Sequence, residues 1–303
     1  MDLLLFLMTL IWGSNYTIVK DAFAEMPPHP FNAVRMVVAS LVFLVAIAIA
    51  RQYKRPSVFY TPEPVTRRDW LSLFGLAVVG HFLYQLSFIG GLARTSVANS
   101  SLILALTPVA IAGLNAVLGR ERVGRWHWLG ATMSIGGIYL VVDRGPAGAA
   151  RAQLTGDLLM FSGVVCWAIY TVGAGRLMER HSPLGVTGVS ITMGTLIYVP
   201  VVLPQVLAVD WSRISATTWI ALAYSSICAL CVAYMIWYTA VQKIGGTRTS
   251  VYSNLVPIVA LAVAVLWRGE ALGAAKLFGA ALVLAGVAMT RAAAHLKTAP
   301  PQE

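Results

Sequence analysis

Ten apolar stretches follow one another along the chain, with charged residues gathered at the joints between them. A hydrocarbon core of about 30 Å takes about 20 apolar helical residues to cross, and inside it a helix satisfies its own backbone. The stretches lie at about 3–22, 30–50, 70–92, 96–118, 126–142, 157–175, 184–207, 216–241, 248–267 and 272–290, the last interrupted near its start by Lys276. Pro27-Pro28 with Pro30, Pro56 with Pro62 and Pro64, Gly145-Pro146 and Gly245-Gly246 mark turns at the joints. Ten crossings and their loops use up the 303 residues, which leaves no room for a sizeable soluble domain.

Composition agrees. The chain is 58% hydrophobic and 11% charged, against about 25% charged residues in soluble domains, and its mean hydropathy is +0.75. Disorder, a disulfide scaffold and a nucleic-acid-binding domain are excluded in spite of the +10 net charge. Cys166, Cys228 and Cys231 all fall in apolar runs, and the CxxC of the last two has no histidine or second pair to complete a zinc set. These cysteines are expected to pack, and no cofactor or metal is expected. The first stretch has nothing basic before it and carries Trp12, Asn15 and Tyr16 where a leader would have a small-residue cleavage site, so a retained helix is expected.

In a membrane protein the excess of lysine and arginine reports orientation. With the amino terminus cytoplasmic, 14 of the 22 basic residues fall on the inside, 7 on the outside, and Arg35 lies within a helix. Both termini are therefore expected in the cytoplasm.

A repeat is also visible. A shift of 149 residues brings Leu106 onto Leu255, Pro108 onto Pro257, Glu121 onto Glu270, Gly130-Ala131 onto Gly279-Ala280 and Gly137 onto Gly286. Upstream, a shift of 155 brings Trp12 onto Trp167. The unit is five helices, 1–150 and then 151–303. An odd unit repeated in tandem crosses the membrane in opposite senses, so the halves are inverted, the arrangement transporters use to open a central site to each side in turn.

All twelve acidic residues lie in loops, tails or helix ends. No carboxylate at the midplane is available as a proton carrier or sodium ligand, nor as part of an intramembrane hydrolase, and no Ser/His pair is specified by spacing. The ionisable groups in the membrane zone are Lys20, Arg35 and His81. Lys20 and Arg35 either snorkel to the interface or attract a substrate carboxylate. His81 is too deep to snorkel; it either hydrogen-bonds a neighbouring helix or lines a wet cavity.

Polar and aromatic residues recur at helical spacing: Trp12, Asn15 and Tyr16; His81, Tyr84, Gln85 and Phe88; Trp167, Tyr170 and Thr171; Tyr234, Trp237 and Tyr238. Interfacial belts explain such stripes near helix ends, and Trp237 and Tyr238 fit that account equally well. Trp12, Trp167, Tyr84 and Tyr234 sit nearer mid-span, which favours a pocket wall. The fourth and ninth stretches begin with Ser, Thr and Asn residues and then carry Pro108 and Pro257. A proline frees a carbonyl one turn back, so these helices are candidates to bend in gating or to present carbonyls to a ligand; simple interhelical hydrogen bonding explains them equally well. Gly130, Ser134 and Gly137, with Gly279, Ala280 and Gly286, mark the fifth and tenth helices as packing surfaces, against each other or a second subunit.

Trp12-Gly13-Ser14-Asn15, the five-plus-five repeat and the Pro-to-Glu pattern of Pro108 to Glu121 and Pro257 to Glu270 resemble the drug/metabolite transporter superfamily in its ten-helix EamA-type branch. Within it the chain is similar to bacterial YddG-type exporters of aromatic amino acids. The resemblance implies an all-α membrane protein with a central cavity walled by helices 1, 3, 4, 6, 8 and 9, with 5 and 10 behind. It implies export of amino acids or similar metabolites from a bacterial inner membrane. The expected substrate-facing residues are Trp12, Asn15, His81, Tyr84, Ser100, Trp167, Tyr170, Tyr234 and Tyr252, with Pro108 and Pro257 in gating. Partners are the small-molecule substrate and membrane lipid, as a monomer or a weak homodimer through helices 5 and 10. The alternatives are another substrate, such as a drug or a nucleotide-sugar-like metabolite, a non-transport lipid-interacting or assembly subunit, and, third, an enzyme. Facilitated export is expected, with His81-linked proton antiport as its alternative.

Overall fold

The computed structural model describes residues 1–119, 125–141, 147–253, 255–269 and 273–295. These form α1 (Asp2–Ala22), α2 (Pro28–Tyr53), α3 (Arg67–Arg94), α4 (Val97–Val117), α5 (Arg125–Val141), α6 (Ala147–Leu177), α7 (Pro183–Leu207), α8 (Ala216–Ile244), α9 (Gly246–Ser253 continued by Leu255–Arg268) and α10 (Ala274–His295). Among the described residues seven helices are long and apolar enough to cross a membrane, and α9 and α10 contribute the shorter apolar helices Leu255–Trp267 and Leu277–Gly286. The result is a ten-helix, multi-pass membrane fold. Leu41, Val45, Leu71, Leu196 and Leu266 stand exposed on its outside, where lipid replaces water. Glu121 and Glu270, used above to align the halves, lie outside the described residues.

Local chemistry sets the helix ends. Thr66 caps α3 by accepting from the Asp69 amide while the Asp69 carboxylate accepts from the Thr66 amide, a reciprocal pair that satisfies two otherwise orphaned donors. Ser96, Ser182 and Ser215 cap α4, α7 and α8 through their hydroxyls. The 54–66 loop is held by a hydrogen bond from the Leu184 amide to the Val58 carbonyl at 3.2 Å.

Among the described residues three helices are interrupted, and two of the interruptions keep the sequence repeat. Helix α4 breaks after Leu104 and resumes at Thr107, with Pro108 in its new first turn. The carbonyl that Pro108 leaves without an amide partner belongs to Leu104, and the Thr107 hydroxyl donates to it at 2.7 Å. Helix α3 widens into a π-helical segment at Val78–Leu83 and α8 does so at Ser225–Val232, so that these two segments end 149 residues apart.

The packing keeps the same exchange of halves. α1 lies against α9 as α6 lies against α4; α3 lies against α6 as α8 lies against α1; α2 packs on α7 and α5 on α10. A side chain at Gly137 in α5 would meet the Gly279 carbonyl at 2.6 Å and Val283 at 2.8 Å. The small-residue faces of α5 and α10 thus meet each other, backbone to backbone.

Candidate functional site

The aromatic stripes converge in the middle of the bundle. Trp12 of α1 stands edge-on to Trp167 of α6 at 5.9 Å and to Tyr234 of α8 at 6.0 Å, and lies 5.5 Å from Trp237. Trp167 in turn lies 5.0 Å from Tyr84 of α3 and 5.2 Å from Tyr234. Edge and tilted contacts at these separations are the geometries aromatic quadrupoles prefer. Beside the rings is a cavity.

Its walls are Trp12, Asn15 and Tyr16 of α1, Arg35 of α2, Tyr84 and Phe88 of α3, Ser101, Leu104, Ala105 and Thr107 around the α4 break, Trp167 of α6, Tyr234 and Trp237 of α8, and Ser253 and Val256 of α9. All six walls expected from the resemblance contribute, and α2 adds a seventh. Of the nine expected residues, Trp12, Asn15, Tyr84, Trp167 and Tyr234 line the cavity. Trp237, which a belt explained equally well from sequence, lines it too and is fully buried.

Four of the nine are not among the lining residues. His81 is fully buried between α3, α6 and α7, 4.7 Å from the Tyr170 ring, and its Nε2 lies 3.2 Å from the Ser190 hydroxyl. The Tyr170 hydroxyl shares that serine at 2.8 Å. His81 Nδ1 has no partner, which suits a neutral ring whose Nε2–H donates to Ser190. The structure therefore takes the interhelical side of the choice left open for His81. Ser100 is fully buried, next to the lining residue Ser101. Tyr252 is half-buried and hydrogen-bonds Asp2 at the start of α1. Pro108 and Pro257 are both buried, Pro108 in the first turn after the α4 break.

Arg35 does not snorkel. It is 4% exposed, its Nε donates to the Ser225 carbonyl at 3.4 Å, and a terminal nitrogen donates to Asn32 Oδ1 at 3.2 Å. The Trp12 indole N–H donates to the Ala229 carbonyl at 3.0 Å. Both carbonyls belong to the π-helical segment of α8, where the changed hydrogen-bond register re-aims backbone groups. No pattern of residue types announces such a segment, so its role was not readable from sequence.

One end of the bundle is tied across helices: Lys20 donates to the Leu92 carbonyl at 2.7 Å and to the Thr95 carbonyl, and Thr95 donates to Asp157 at 2.6 Å. Elsewhere Gln242 of α8 donates to the Met178 carbonyl at 2.9 Å. Among the described residues, no group of three metal-ligating side chains occurs.

A ten-helix membrane bundle around an aromatic cavity is the architecture of a small-molecule transporter. The EamA-like transporter family matches the chain twice, over residues 1–143 and 154–292. The chain belongs to that family. It is 26% identical to the uncharacterized transporter YyaM of Bacillus subtilis, over 92% of this chain and 89% of that one. It is also 26% identical to a probable amino-acid metabolite efflux pump of Salmonella typhimurium, over 93% and 91% of the two chains, and 24% identical to the protein of that description in Escherichia coli, over the same shares. A solved crystal structure aligns over 98% of both chains with a TM-score of 0.66 at 21% identity, a likeness of fold.

Proposed function

We propose that the chain exports amino acids, aromatic or otherwise apolar, or similar small metabolites from the cytoplasm by alternating access across a bacterial inner membrane. The observation that carries this reading is the cavity walled by Trp12, Trp167, Tyr234 and Trp237 at the meeting point of both halves. Residues 1–150 and 151–303 act as inverted units, and both termini lie in the cytoplasm. The break of α4 after Leu104, beside Pro108, supplies a hinge in the first half, and Pro257 is its counterpart in the second. Rocking about them would exchange the Lys20–Thr95–Asp157 tie for an opening at that end. Transport is downhill: the lining holds no carboxylate, and His81 sits outside it on a serine.

The full chain in liposomes is expected to give saturable flux of at least one of Phe, Trp, Met and Thr that only equilibrates the solute. Absence of flux for every small solute tried would return the chain to a non-transport role. A single cysteine at Glu63, an exposed residue of the 54–66 loop, is expected to resist an impermeant thiol reagent added outside intact cells; rapid labelling would reverse the topology.

A further inference from the structure

Among the described residues that line the central cavity Arg35 is the only charged one. A guanidinium stays protonated in proteins and carries five N–H donors, of which two meet the neutral oxygens of Ser225 and Asn32. Among the described residues no carboxylate lies within 4 Å of it; the ion pairs there are Arg180–Asp69, His181–Asp69 and Arg213–Asp210. Burying a charge without a counter-charge is costly, so the site is incomplete as it stands. The rest of the lining adds one orphan of each kind and no counter-charge. The fully buried Trp237 indole N–H has no acceptor, and the unsatisfied acceptor of the lining is the amide oxygen of Asn15, a residue 4% exposed.

We infer that the preferred substrate is an amphipathic monoanion whose carboxylate docks on Arg35 and whose apolar or aromatic body lies among Trp12, Trp167 and Tyr234. It lacks a free ammonium, as a deaminated or N-acylated amino acid does. This rests on the cavity being the transport site and narrows what that site takes. An α-amino acid holds its ammonium one carbon from its carboxylate, so docking the carboxylate on Arg35 forces a second cation against the guanidinium. Only the Asn15 oxygen and ring faces would then offer compensation, and no lining carboxylate does. A plain carboxylate meets the surplus donors with no such conflict, through charge-assisted hydrogen bonds that are about twice as strong as neutral ones.

The test is isothermal titration of the detergent-purified full chain with four ligands that share one phenyl body: 3-phenylpropionate, phenylalanine, phenethylamine and 3-phenylpropanol. The expected order is 3-phenylpropionate tightest, phenylalanine weaker and phenethylamine weakest. Arg35→Gln is expected to remove an advantage of about tenfold of the carboxylate over the alcohol, while alcohol binding persists and reports an intact cavity. Arg35→Lys keeps the charge and should keep the order with a smaller spread. The inference is overturned if phenylalanine or phenethylamine binds more tightly than 3-phenylpropionate, or if Arg35→Gln leaves the advantage unchanged. Saturable phenylalanine flux in liposomes together with no 3-phenylpropionate binding would sink this inference and leave the export reading standing. No binding and no flux by any of the four would sink both.

Discussion

The π-helical segments of α3 and α8 occupy the same place in the two halves and do different work. In α8 the Ser225 and Ala229 carbonyls reach Arg35 and Trp12, and so hold two walls of the cavity. In α3 the segment turns inward to its neighbours: His81 packs on Tyr170 and Ser190, and a side chain at Gly80 would meet the Tyr170 ring at 2.3 Å. Gly80 and Ala229 are themselves 149 residues apart. A repeat preserves where a helix can deform, and the residue types at each copy decide whether the deformation serves packing or the cavity.

The largest effect is expected from breaking the packed copy. Gly80→Val forces a branched side chain into the Tyr170 ring, an overpacking that costs about 1–3 kcal/mol. Its thermal midpoint, followed by size-exclusion fluorescence in detergent, should fall well below that of the parent. A midpoint equal to the parent's would mean that α3 is not locked against α6 and that the contrast with α8 is wrong.

The cavity copy is broken through its ligand instead. Trp12→Ala removes a ring that touches three others, and with aromatic pairs worth about 0.5–1.5 kcal/mol each the half-saturating substrate concentration should rise about two- to tenfold. Trp12→Phe keeps a ring and loses the bond to the Ala229 carbonyl; it should fall between parent and alanine variant. Unaltered flux kinetics in folded Trp12→Ala and Trp167→Ala would remove the aromatic wall from the mechanism.

Most of this fold was legible because membrane helices write themselves in apolar runs and charged joints; nine of the ten expected helices start within four residues of those observed, α6 starting ten residues earlier, at Ala147 instead of 157. The cavity was legible as far as helical periodicity reaches. Trp12, Trp167, Tyr84 and Tyr234 share a centre because each sits mid-span on a polar or aromatic face. Periodicity assigns a face within one helix but cannot say which neighbour that face meets. His81 and Tyr170 follow the same spacing as Tyr84 and Trp167, yet a π-helical segment rotates His81 toward α7 and Ser190. Arg35 was visible as an ionisable residue one turn inside α2. Its inward direction depends on the Ser225 carbonyl, about 190 residues away in sequence, which no local pattern encodes.

A smaller effect sharpens the role of His81. Its Nδ1 is buried without a partner, and a proton placed there would add an unpaired charge in a dry site. His81→Gln keeps a donor for Ser190 and is expected to change saturated flux by less than about twofold, with stability lowered by about 1 kcal/mol for the imperfect hydrogen bond. Accumulation above equilibrium driven by an imposed pH gradient, and lost in His81→Gln, would replace facilitated export with proton antiport.

The smallest effect concerns how each interrupted helix is started. Helix α3 carries its own acid: Thr66 and Asp69 cap each other. The residues 149 positions on are Ser215 and Thr218, and a threonine has no carboxylate to return to the capping amide. Glu25, from the turn between α1 and α2, supplies it: its carboxylate accepts from the Ser215 amide at 2.9 Å and from the Thr218 hydroxyl at 2.8 Å. Led by the Ser215 amide, these hydrogen bonds hold the Glu25 carboxyl below its ordinary range. A carboxylate with a depressed native pKa adds stability that is present above the unfolded value, about 4.3 for glutamate, and is lost as pH falls through the native value. The difference in thermal midpoint between parent and Glu25→Gln should therefore be small, constant from neutral pH down to about pH 5, and should shrink as the pH falls below the unfolded value and through the lower native one. Because Glu25 is exposed to solvent, salt should also reduce the difference. A difference that grows on acidification would mean that α8 borrows nothing from the α1–α2 turn, and that the second half starts this helix by its Ser215 hydroxyl alone.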